Sequence, residues 1–140
     1  MNEIRPLFVC LILLLVAGNA QSSDTAIVRS ILDINGYEDV AIEDVATIKE
    51  DRVIVLDLNN PDITRDGFHV LPPDIGQLEA LIKLKVNDNV IDSLPQQIGN
   101  LQSLIELELK NNNIKVLPPE IGQLSALKIL DLRNNELRKL

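Results

Sequence analysis

The amino-acid sequence predicts an α/β fold, a solenoid of stacked strand-plus-return coils with a helix and a hairpin covering its N-terminal end. Three observations carry this expectation. Leucines Leu71, Leu94, Leu117 and Leu140 stand 23 residues apart, and the same interval links Ile75, Ile98 and Ile121, then Asn89, Asn112 and Asn135. A fixed period of this length marks stacked supersecondary units. Within each period an alternating L-x-L gives way to Pro, then Gly, then apolar residues at helical spacing, as in Leu107, Leu109, Pro118, Ile121, Gly122 and Leu124. The stretch Asp24 to Arg52 does not share the period. A stack of coils exposes its core at its ends unless something different covers it.

The elements follow in order. Residues 1–20 read as a secretory signal peptide, with an apolar run from Leu7 to Ala17 and small residues at Gly18 and Ala20. The run is shorter than the roughly 20 residues of a membrane span. Counting every uncharged residue from Pro6 to Ser23 keeps a retained anchor as the alternative. Residues 21–52 form the expected cap. Asp24 is placed to cap a helix whose stripe is Ile27, Val28, Ile31, Leu32 and Ile34, ended by Asn35-Gly36. After it, "VATIKEDRVIVLDL" reads as a hairpin with a polar turn at Lys49 to Asp51.

Residues 53–80 are a degenerate first repeat. Val53, Leu56 and Leu58 match, but Pro61 stands in the Asn slot and the step from Val53 to Leu81 is 28 residues, so five extra residues fall within "PDITRDGFHV". Regular repeats follow at 81–103 and 104–126, with a partial one at 127–140. In each, alternation turns one face of a short strand inward. Pro stops the strand, Gly permits a tight turn, and the I-G-x-L-x-x-L stretch returns along the outer side. The Asn where the chain leaves the strand can donate to and accept from backbone groups left unpaired by the bend. The chain as given stops at Leu140, which leaves the last leucine layer partly bare. This suggests a truncated or fragmentary chain, or an edge that associates with another molecule.

The spelling L-x-x-L-x-L-x-x-N-x-I/L-x-x-L-P-x-x-I-G-x-L resembles the leucine-rich repeat. That resemblance implies a right-handed arc with one parallel sheet on its concave side, a ladder of the repeated Asn, and a non-catalytic role in protein binding. Plant extracellular members also begin with a helix and hairpin, but they pin that cap with paired cysteines and use a 24-residue repeat. The L-P-x-x-I-G wording and cysteine-free cap are closer to intracellular Ras-binding members and to short secreted bacterial proteins.

Composition narrows the function. The net charge is −8, and removing residues 1–20 takes away Arg5 and Glu3 together and leaves it unchanged. An acidic chain is a poor match for nucleic acid or an anionic membrane surface. Cys10 is the only cysteine, so a chain cut after Ala20 has no disulfide. A secreted or periplasmic protein is expected. His69, the only histidine, lies in the irregular insertion and reads as a surface or turn residue. No nucleophile is paired with a base, and the acidic group Glu38, Asp39, Glu43, Asp44, Glu50 and Asp51 lacks calcium-loop spacing. No enzyme, cofactor or metal is expected.

Binding residues are sought in the strand slots that change between copies. The third slot gives Val55, Lys83, Glu106 and Ile129, the fifth Asp57, Lys85, Glu108 and Asp131, and the seventh Asn59, Asn87, Lys110 and Arg133. Strands about 4.8 Å apart set Lys83 beside Glu106 and Lys85 beside Glu108. Such pairs could merely keep the sheet soluble, since each is worth about 0.2–1 kcal/mol. They could equally select a partner by charge complementarity. The expected contact residues for a protein partner are Lys83, Lys85, Glu106, Glu108, Lys110, Asp131 and Arg133. The alternative is association through the C-terminal edge at Leu137 to Leu140, including self-association.

Overall fold

A computed structural model describes residues 23–60 and 66–138. The proposed signal peptide, Pro61 and the last two residues lie outside them. Helix α1 (Ser23–Ile34) and a one-turn helix α2 (Ile42–Val45) lead into strands β1 (Ala46–Lys49) and β2 (Arg52–Asp57). Strands β3 (Lys83–Lys85), β4 (Glu106–Glu108) and β5 (Ile129–Asp131) follow one per coil. Among the described residues they form one sheet in the order β1-β2-β3-β4-β5. All pairings from β2 onward are parallel, and β1 joins β2 antiparallel. The hairpin therefore belongs to the same sheet, adding a fifth strand to the four expected of the coils.

The 23-residue period is realised as a column. Leu84 pairs with Leu107 and Leu107 with Leu130 across neighbouring strands. Leu81, Leu84, Val86, Leu104, Leu107 and Leu109 are fully buried, as are Ile75, Ile98, Leu78 and Leu101 on the returning side. That return is a single 3₁₀ turn in each coil, at Pro73–Gln77, Gln96–Asn100 and Pro119–Gln123. Its closeness explains the glycine. A Cβ on Gly76 would stand 2.5 Å from the carbonyl oxygen of Gln97, and one on Gly99 would stand 2.7 Å from that of Glu120. Only a residue without a side chain lets successive turns stack at this distance.

The Asn ladder forms as expected. Asn112 Nδ2 donates to the carbonyls of Val86 at 2.7 Å and Leu109 at 3.1 Å, and its Oδ1 accepts from Ile91 N. Asn89 and Asn135 do the same one coil away. The residues just before them, Asp88, Asn111 and Asn134, have φ of 61°, 55° and 57°. Short polar side chains tolerate this left-handed conformation best. They also stack, Asn134 Nδ2 donating to Asn111 Oδ1 at 2.6 Å.

Two expectations for the cap need correction. Asp24 does not precede α1; it lies in its first turn, is completely buried, and accepts from Val53 N and Arg52 Nε, both at 2.9 Å. The carboxylate thus ties the cap helix to the start of β2, and it raises the pKa of Arg52 through that hydrogen bond and its charge. Ile34 is 56% exposed and lies off the stripe, which Ile27, Val28, Ile31 and Leu32 complete. The helix ends at Asn35-Gly36 as expected, with Gly36 at φ 80° and Tyr37 N donating to Leu32 O. The hairpin turns through Glu50 and Asp51, both at positive φ, the geometry whose twist suits a two-residue connection.

Candidate functional site: the charged face of the sheet

Alternation along β2 to β5 turns the leucines inward, so the third and fifth slots of each coil share the opposite face. Val55, Lys83, Glu106 and Ile129 form one row; Asp57, Lys85, Glu108 and Asp131 form the next. Lys83 Nζ lies 2.5 Å from Glu106 Oε2, an ion pair between adjacent strands. The hydrogen bond within it raises the pKa of Lys83 and lowers that of Glu106. Both carboxylate and ammonium remain charged at neutral pH.

Lys85 and Glu108 are neighbours in register, but they do not pair with one another. Lys85 Nζ turns to Asp57 at 3.4 Å, and Glu108 Oε2 accepts from Asn87 Nδ2 at 2.6 Å. The seventh-slot asparagine explains the change. Asn87 Oδ1 accepts from Lys110 N, and Asn59 Oδ1 accepts from Asn87 N one coil earlier. This second amide ladder holds Asn87 so that its Nδ2 points to Glu108. Two asparagines at equal slots, Asn59 and Asn87, were its sequence signal. On the last strand Arg133 donates to both oxygens of Asp131, from Nε at 2.9 Å and Nη2 at 2.6 Å, while Arg133 N adds a third bond. These bonds hold the Asp131 carboxyl down at a pKa of about 2. The Arg133 side chain as a whole stays 74% exposed.

The arrangement offers fixed charges of both signs on a partly exposed sheet. His69 is exposed, and its backbone N–H donates to Asn35 Oδ1. Among the described residues no three His, Cys, Asp or Glu side chains gather as metal ligands. In the same residues no helix is long and apolar enough to cross a membrane.

A family profile for leucine-rich repeats in two copies matches residues 102–140. The leucine-rich repeat ectodomain of the receptor kinase SOBIR1 from Arabidopsis thaliana superposes with a TM-score of 0.65 at 25% identity, over 84% of this chain and 69% of that one. The fold of this chain is that of a leucine-rich repeat solenoid, and residues 102–140 carry the repeats of that family. A leucine-rich repeat protein of Leptospira interrogans is 46% identical over 49% of this chain, with a TM-score of 0.49. The Arabidopsis thaliana complex of BIR3 with SERK2 gives a TM-score of 0.52 at 26% identity over 66% of this chain. The chain spans 18% of the Leptospira protein and 49% of the matched chain in that complex. No curated protein matches it. Leucine-rich repeat domains are in general protein-protein interaction modules.

Proposed function

We propose that this leucine-rich repeat protein is a non-catalytic, secreted or periplasmic module that binds a protein partner on its concave sheet face. The contact residues are Lys83, Lys85, Glu106, Glu108, Lys110, Asp131 and Arg133. One observation supports the reading above all. The inward column repeats from coil to coil, while the outward rows change chemistry, Lys83 to Glu106 in one and Asp57 to Lys85 to Glu108 in the other, so the variable chemistry is gathered on one surface. Mixed rows of this kind select partners by electrostatic complementarity and set the rate of encounter. Residues 1–20 direct export and are removed, so the mature chain begins at Gln21. Mass spectrometry of the natural product reads that terminus directly, and a retained Met1 would favour the anchor instead.

The partner is sought by pull-down from the native source, with a charge exchange as the control. Lys83→Glu with Glu106→Lys exchanges the ends of the closest cross-strand pair, leaving the fold's own attraction in place but inverting what a partner meets. Capture should be lost or its salt dependence changed. Capture of the same partner equally well by both proteins at the same salt dependence would exclude the sheet face. The face of the last described coil would then be the better reading, because Leu130 is 40% exposed there. A concentration-dependent dimer on a sizing column would identify self-association as its use.

A further inference from the structure

At the N-terminal end of the same face the cap and the first coil enclose an open pocket of about 480 Å³. Its size is within the range of pockets that hold small ligands or a few side chains. Its apolar surface comes from Leu32, Tyr37, Val40, Val45, Leu58 and Phe68. Tyr37 and Phe68 lie flat on each other, ring centroids 4.5 Å apart and planes parallel. Arg29 fixes the segment above them, donating to Tyr37 O at 2.7 Å and Val40 O at 2.8 Å. The polar lining is Asp44, Asp57, Asn59 and Asn60. Two carboxylate-bearing and two amide-bearing residues thus line the cavity, and among the described residues none of its lining side chains is basic. Lys85 reaches Asp57 from β3, and Asn59 N also donates to that carboxylate at 3.2 Å.

This combination differs from the rest of the sheet. The rows on β3 and β4, Lys83 with Lys85 and Glu106 with Glu108, are wholly charged. Asp57 and Asn59, however, are the first members of the fifth-slot and seventh-slot rows, so the pocket is continuous with them. We infer that the pocket takes one apolar side chain of a bound peptide with a cationic residue beside it, the apolar group against Tyr37, Val40 and Phe68 and the cation between Asp44 and Asp57. The inference rests on the reading that the sheet face meets a protein. It adds the chemistry of the segment that the partner presents. A buried apolar anchor beside charged contacts is the usual way in which a polar surface acquires affinity.

Tyr37 makes the test specific, because the chain has one Tyr and no Trp. Its emission therefore reports on the pocket alone when the peptide itself carries no aromatic residue. The probe is acetyl-Gly-Leu-Arg-Gly-amide, titrated into the mature chain at low salt, with the Leu-Glu and Ala-Arg analogues as controls. A saturable change in tyrosine emission is expected with Leu-Arg, and both analogues should bind about tenfold more weakly. Asp44→Asn, at an exposed position, should weaken the Leu-Arg peptide by a similar factor. Val40→Phe, which sets a larger ring where the apolar side chain would sit against Tyr37 and Phe68, should abolish its binding in calorimetry. An unmoved emission, equal binding of Leu-Arg and Leu-Glu, or calorimetric binding that survives Val40→Phe would each overturn the assignment. The two readings fail separately. Loss of partner capture in the Lys83/Glu106 exchange with no peptide effect at Tyr37 removes the pocket and keeps the sheet face. A peptide effect with unchanged capture does the reverse.

Discussion

The coil carrying Leu107 and the coil carrying Leu130 are written in nearly the same words and share one backbone geometry, yet they are buried to very different extents. Leu107 is fully buried and Leu130 is 40% exposed. In the return turns the same change comes one coil earlier: a Cβ on Gly99, in the coil before Leu107, would strike the next turn, whereas one on Gly122, in the coil carrying Leu107, would meet nothing within 4 Å. Asn112 is 5% exposed, while its equivalent Asn135 is only partly buried. A leucine in a solenoid is thus made a core residue by the coil stacked upon it. The same side chain at equal register is a different energetic object in the two places.

Paired substitutions turn this difference into measurements, beginning with the largest. Leu107→Ala should lower unfolding free energy by about 2–5 kcal/mol, because it opens a cavity in a closed column. Leu130→Ala should cost clearly less in the same denaturant titration. Equal costs would mean that further chain, a partner or a second copy covers the last coil. Gly99→Ala should destabilise by about 1–3 kcal/mol through overpacking against Glu120, and Gly122→Ala should leave thermal stability nearly unchanged. Asn112→Ala should cost about 1–3 kcal/mol, since it strands the buried carbonyl of Val86 and the N–H of Ile91. Asn135→Ala, being wetter, should cost less.

The smallest effect is electrostatic and belongs to the last strand. Asp131 has a folded-state pKa of about 2, below its ordinary value near 4. A depressed carboxylate pKa contributes stability that is fully present above the unfolded value and is lost as pH falls through the folded one. Between about pH 5 and 2 the wild type should therefore lose slightly more stability than Arg133→Ala, which removes the main cause of the shift. Acid melts of the two proteins compare them directly, and parallel curves would mean that the Arg133 bonds are too exposed to matter.

What was legible in the sequence was whatever the period carries. Leu84, Leu107 and Leu130 share a register, Asn89, Asn112 and Asn135 share a task, and both follow from counting. The rows of the sheet face were legible for the same reason, so Lys83 was correctly set beside Glu106. Contacts outside the period were not. Asp24 and Val53 are joined across the cap, and nothing in a helix-start signal distinguishes a carboxylate that caps its own helix from one that reaches a strand. Lys85 turns from Glu108 to Asp57 because Asn87 claims Glu108, a competition between side chains that spacing alone does not rank. The pocket was illegible because Tyr37 and Phe68 belong to two irregular segments. The left-handed slot was missed although its signal was present: Asp88, Asn111 and Asn134 are the short polar residues that such a slot selects.

The stacking of Gly76 on Gln97, repeated by Gly99 on Glu120, has a consequence for length. Each coil meets its successor through the same few atoms, so the protein is a ruler graduated in steps of about 4.8 Å. Duplicating residues 81–103 in place would insert one graduation while leaving the joints on either side as they were. The cap, with Asp44 and Asp57, would stay where it is, and Asp131 with Arg133 would move one step outward. Distance between the two ends of the surface can thus change in whole units with one new joint, the copied coil on its twin, so partners of different spans could be matched by copying text already present.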